Sequence, residues 1–192
     1  LDPATRRFSF YMFIIAFAYS SVNAFADSYS ASIGLTGWAA AIFAAYSVVL
    51  ILIRPPVGRL QDRRGENVVL YPSIVSMSIG LLVCAGCALV PNGILLASVG
   101  VFAATGFGTC MSAGLAVIGR MTHGEKAALG IATFYLLCDF GCGIGPLVLG
   151  FVVSSFGFPA MYVCCAGIAL LGVVYYHVSH GRRIRHGSGA RQ

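Results

Sequence analysis

The chain has 192 residues, of which 58% are hydrophobic and 9% charged, with a mean hydropathy of +0.88 and a formal net charge of +6. Its apolar runs exceed what a soluble core of this length needs, which excludes an ordinary soluble domain. The positive balance calls for no nucleic-acid partner, because membrane topology and contact with anionic lipids account for it.

A run of about 20 apolar residues spans a bilayer as a helix. The pattern predicts six such helices at roughly 8–30, 37–57, 67–90, 93–117, 126–151 and 158–178. The expected fold class is therefore an all-α membrane protein, a six-helix transmembrane bundle over 1–178 followed by a basic cytoplasmic tail at 179–192. The first apolar segment is too long for a signal peptide and lacks a small-residue cleavage signature. Leu1 stands where a methionine would open a chain, so a processed terminus or the cut edge of something longer is expected.

Helix one carries Tyr19, Asn23 and Asp27 at four-residue spacing, with Ser20 and Ser30 beside them. Residues four apart share a helix face, so this is one polar stripe. Helix two begins at Trp38, an interfacial aromatic, and closes on Arg54-Pro55-Pro56-Val57-Gly58, read as a break before a loop. The stretch Gly58–Glu66 then holds five charges in nine residues, which cannot rest in hydrocarbon and so marks a membrane face. Cys84-x-x-Cys87 has redox or zinc spacing, but with no histidine or second pair nearby the seven cysteines read as small hydrophobes, and no metal or other cofactor is expected. The four histidines, His123, His177, His180 and His186, all map near basic residues, as solvated surface groups.

Helix four carries a second stripe, Ser98, Thr105, Thr109 and Ser112, with Gly100, Gly106, Gly108 and Gly114 allowing close packing. Two readings stand for the stripes: a hydrated cavity walled by helices one and four, or hydrogen bonding between helices and back to their own backbone. Asp139 lies about 20 Å into helix five. A carboxylate at that depth is costly unless paired, hydrated or protonated, so it is either a carrier of one proton or a buried acid held by hydroxyls and helix-end amides. Asp27 lies nearer the surface, as a rim acid. Helix five also holds Gly141-x-x-x-Gly145-Pro146, a bend and close-contact signature.

All twelve basic residues fall at the start of the chain, around the second and fourth connections, and in the tail. Six helices put those places on one side, and the positive-inside rule makes that side cytoplasmic, with both termini there. The expected location is a cell (inner or plasma) membrane. Gly58 and Gly65 after helix two, and Gly150 and Gly157 after helix five, repeat one spacing behind a proline, which suggests two inverted three-helix repeats.

Gly58-x-Leu60-x-Asp62-Arg63-x-Gly65-x-x-x-x-Leu70 resembles the signature loop of the major facilitator superfamily, and Arg54-Pro55 with Gly145-Pro146 strengthens the likeness to its drug-exporter-like branches. Glu66-Asn67 depart from it, standing where that family places basic residues. The resemblance implies half of a twelve-helix transporter, and the absence of an arginine in helix four before Arg120 points to the C-terminal half. It further implies a small organic solute or drug moved by rocker-switch alternating access, with protons as coupling partners and a second six-helix half upstream or in a partner chain. Tyr19, Asn23, Asp27, Thr105, Thr109 and Ser112 would bind substrate, and Asp139 would couple protons. Gly58, Asp62, Arg63 and Gly65 would form the gate, in which Asp62 meets a helix N-terminus, Gly58 packs closely on a partner helix and Gly65 makes a tight turn; Gly145 and Pro146 would form the kink. The alternatives are a homodimeric half-transporter or channel-like bundle and, with less support, an intramembrane protease of the rhomboid type, for which no histidine lies at membrane depth. An enzyme is not expected.

Overall fold

A computed structural model describes residues 3–122 and 125–178, and every regular element among them is helical. The elements are α1 (Pro3–Ser32), α2 (Ala39–Arg64), α3 (Asn67–Gly86), α4 (Gly93–Ala103), a π-helical turn at Ala104–Gly108, α5 (Thr109–Met121) and α6 (Glu125–Tyr176). Five rods are long and apolar enough to cross a membrane, α4, the π turn and α5 forming one of them over Gly93–Met121. His123, His180, His186 and the tail at 179–192 lie outside the described residues.

The fifth rod runs over Lys126–Tyr176, 51 residues. At about 1.5 Å per residue it would be more than twice as long as a bilayer core is thick. It does not run straight. Gly157 leaves the helical region with φ 80° and ψ 172°, a conformation that a side chain rarely permits, and joins two helical arms. Both arms return to the same stretch of α1: Gly141 faces Phe13–Phe17, and Gly172 faces Ile14 and Ile15. The rings of Phe13 and Phe140 lie 5.9 Å apart, and those of Phe10 and Tyr175 lie 5.5 Å apart, which a single straight helix could not achieve.

The core has two tiers. One gathers Val22, Ala26 and Tyr29 of α1 with Ile42, Leu81, Leu96 and Tyr162. The other gathers Phe8, Tyr11 and Met12 with Leu70, Val117, Phe134 and Tyr176. The start of α1, the end of α2, the end of α5 and the start of α6 all meet at this second tier, and these ends carry Arg6, Arg7, Arg63, Arg64, Arg120 and Lys126. One end of the bundle is therefore basic. Hydrogen bonds tie it together: the Tyr176 hydroxyl donates to Asn67 Oδ1 at 2.6 Å, and the Tyr71 hydroxyl meets His177 Nδ1 at 2.8 Å.

Close packing follows the glycines. On the fourth rod a Cβ at Gly100 would strike the Ile42 carbonyl, one at Gly106 would lie 2.7 Å from Met77 Cβ, and one at Gly114 would lie 2.7 Å from Phe134 Cζ. These three positions seat the rod against α2, α3 and α6 in turn. The Gly141–Gly145 pair does the same for α6 on α1, where a Cβ at Gly145 would collide with Ser20 Oγ. Pro146 follows inside the helix, its missing N–H tolerated without a break.

Several boundaries differ from expectation, α1 beginning at Pro3 and the fourth rod running on to Met121 among them. Helix three stops at Gly86, and residues 87–90 form turns before Asn92 caps α4 by accepting from the Ile94 and Leu95 amides at 2.9 and 3.3 Å. More consequential, helix two does not break at Arg54-Pro55-Pro56 but continues to Arg64, so the charged stretch is the last turns of α2 and not a loop. Contacts to α5 hold those turns: buried Gln61 donates from Nε2 to the Ala113 carbonyl at 3.0 Å, and Asp62 meets Arg120. The helix ends at Gly65, whose φ of 84° lies in the left-handed region and whose amide donates to the Gln61 carbonyl at 2.9 Å.

Candidate functional site

At the basic end, the inner face of α2 stands away from α5 and the first arm of α6, leaving a cavity of about 580 Å³. Leu50, Ile53 and Val57 form its apolar wall. Its polar lining comes from Arg54, Gln61 and Asp62 on α2, Thr109 and Ser112 on α5, and Tyr135 on α6. A second groove of about 420 Å³ lies on the other side of Val57, between α2, α3 and the fourth rod, and contains Ser73, Ser76 and Thr105. Thr109, itself buried, reaches both.

The expected substrate residues separate into three places. Thr109 and Ser112 line the large cavity. Thr105 turns to α3, where its hydroxyl bonds that of Ser76, and so leaves the helix-one side. The π turn explains the split. One extra residue in a turn rotates everything after it by about 100° relative to an α-helix, so spacings that trace one face of a regular helix do not do so across Ala104–Gly108. Tyr19 packs into the core with its ring stacked on Phe107 of the π turn at 4.0 Å and 2°, and 5.9 Å from Tyr46 of α2. Asn23 and Asp27 lie exposed on α1, away from both cavities. Neither of these two spaces is walled by the stripes of both helices, and the Tyr19–Phe107 stack joins α1 to the π turn.

Ser112 also donates to the Gly108 carbonyl at 3.0 Å, and Thr109 to the Ala104 carbonyl at 3.5 Å. Back-bonding does not remove these two hydroxyls from the lining of the large cavity, since each oxygen keeps acceptor capacity for a further partner.

Asp139 is exposed on α6, four residues beyond Tyr135 of the cavity lining, and so on the same face one turn away. It is not enclosed within this chain. Among the expected gate residues, Asp62 pairs with Arg120 Nη2 at 2.6 Å, with no helix N-terminus as its partner. Arg63 is exposed on the last turn of α2, and Gly65 supplies the turn just described. Gly58 is helical and borders the cavity; a Cβ there would meet nothing within 4 Å, so the close packing expected of it has no partner within this chain.

Sequence reasoning missed Arg54 as a lining group, along with Gln61, Tyr46, Phe107 and Arg120. A signal existed: Tyr46, Leu50 and Arg54 repeat the four-residue spacing that drew attention to helix one. Phe107 carried no such mark, because its contact depends on the π turn. The seven cysteines are free thiols; Cys84, Cys87, Cys110, Cys138 and Cys165 are buried and Cys164 is exposed.

The family model described as Major Facilitator Superfamily matches residues 7–191 of the chain. No curated protein matches it closely enough to serve as a relative.

Proposed function

We propose that this chain, which belongs to the Major Facilitator Superfamily, supplies a six-helix unit of a secondary active transporter that moves a small organic solute by alternating access with proton coupling. Membership makes it an integral membrane protein of the transporter type, in a family whose members are transporters rather than enzymes. The substrate class, the coupling ion and the second half are the proposal.

The observation that carries it is the cavity between α2, α5 and α6, which opens beside the signature residues Gly58 and Asp62 and holds Thr109 and Ser112. A gate and a binding space are then adjacent, as alternating access requires. With each arm of α6 crossing once, the bundle has six crossings and an even-numbered topology. The basic end faces the cytoplasm by the positive-inside rule and brings both termini there. A second six-helix unit, encoded upstream or supplied by another chain, would face the exposed side of Asn23, Asp27 and Asp139. Against that unit Asp139 would become enclosed, and its carboxyl would serve as the proton site. The drug-exporter-like branch and the C-terminal half remain the reading of the motifs in Gly145-Pro146 and helix four.

Proteoliposomes holding the complete gene product test this. An imposed pH gradient should drive accumulation of a membrane-impermeant organic probe such as radiolabelled p-toluenesulfonate beyond its equilibrium level. Accumulation that ignores the gradient would remove proton coupling, and none with any solute of a broad panel would remove the transporter reading.

A further inference from the structure

Arg54 is the basic side chain in the lining of the cavity. It lies about ten residues, or about 15 Å, inside the end of α2. Asp62, the acidic group of this lining, pairs with Arg120 and not with Arg54. The Arg54 side chain is exposed at the open side of the cavity, four residues before the charged stretch that begins at Gly58. Around it are hydroxyls from Thr109, Ser112 and Tyr135, with Leu50 and Ile53 as apolar wall. Arg54 also lies within electrostatic reach of the Tyr46 hydroxyl, one turn beyond Leu50 on the same face. At about 580 Å³ the space falls within the range of small-ligand sites, about 300–1,000 Å³.

We infer that this cavity binds a soluble organic monoanion, its carboxylate or sulfonate held by Arg54 and its apolar body laid against Leu50 and Ile53. A planar guanidinium presents paired donors that match the two oxygens of such an anion. The Thr109 hydroxyl is the group best able to turn toward it, because its 3.5 Å bond to the Ala104 carbonyl is the longest of the backbone bonds made by these hydroxyls. Pairing of Asp62 with Arg120 lessens the repulsion that a free carboxylate in the same lining would impose. A lipid phosphate shares the anionic chemistry and is the competing occupant. The inference deepens the transporter reading by naming its substrate class and rests on that reading for its purpose, but binding can be measured without transport.

The test is equilibrium binding of radiolabelled p-toluenesulfonate to the complete gene product in phosphatidylcholine nanodiscs. Saturable binding is expected, with Arg54→Gln weakening it by about tenfold or more and Arg54→Lys by less. Thr109→Val should weaken it by several-fold and, being nearly isosteric, guards against loss through misfolding. Neutral p-toluenesulfonamide should not compete, and phosphatidylglycerol in the nanodisc should leave the affinity unchanged. Equal binding by Arg54→Gln, competition by the sulfonamide, or displacement by phosphatidylglycerol would each overturn the inference, the last by assigning the site to lipid. Intact binding without any transport would count against the transporter reading alone, whereas proton-linked transport of another solute without toluenesulfonate binding would count against this site alone.

Discussion

Asp62 of α2 and Arg120 of α5 meet at 2.6 Å at the mouth of the cavity, joining helices that lie far apart in the sequence. Both side chains are at least half exposed, so their pairing is worth no more than about 1 kcal/mol to the fold. Its importance would therefore lie in the equilibrium between conformations. We expect Asp62→Asn and Arg120→Gln to leave the melting temperature nearly unchanged while each slows transport by about tenfold or more, and the double variant to be no slower than either single one. Additive losses in a transport double-mutant cycle would show that the two residues act separately.

The contact of Gly145 with Ser20 predicts a steric phenotype. Gly145→Ala places a methyl on Ser20 Oγ and should destabilise the bundle by about 1–3 kcal/mol. Ser20→Gly in the same chain should restore most of the loss. Thermal unfolding in detergent reads both, and failure of the rescue would mean that α1 and α6 do not cross at this pair.

Gly106 seats the π turn on α3, where a Cβ would lie 2.7 Å from Met77 Cβ and 2.9 Å from its backbone. Gly106→Val should therefore push the rods apart, costing about 1–3 kcal/mol and dislodging the Tyr19–Phe107 stack. Tyr19→Leu, by comparison, keeps apolar volume and loses the stacked ring pair, for about 0.5–1.5 kcal/mol. A Gly106→Val protein as stable as wild type would contradict the packing of the π turn.

At the basic end, Tyr176→Phe removes the 2.6 Å bond to Asn67 without changing shape. Hydrogen bonds between membrane helices average about 0.6 kcal/mol and reach about 1.7, so a small drop in melting temperature is expected. Asn67→Ala should give a comparable drop, and the two should not add.

Much of this fold is legible in the sequence because the bilayer demands it. Long apolar runs had to be helices, and clustered arginines had to share one end; Arg6, Arg63 and Arg120 are exposed on helix ends that meet at one tier of the core. The glycines of the fourth rod were read as packing positions, and Gly100, Gly106 and Gly114 each touch a different helix. Two things were not legible. A period-3.6 reading of helix four assumes a regular helix, and the π turn at Ala104–Gly108 violates it, so Thr109 and Ser112 reach the large cavity while Thr105 does not. The end of α2 depends on Gln61 reaching Ala113, a contact between residues far apart in sequence that no local rule of proline or charge reveals.

The proposed proton site is tested most directly by proton flux. Proteoliposomes containing the complete gene product and an internal pH dye should acidify when p-toluenesulfonate is presented outside. Asp139→Asn should abolish that acidification while binding of the probe persists. Acidification of equal rate in Asp139→Asn would contradict the assignment of proton coupling to this carboxylate.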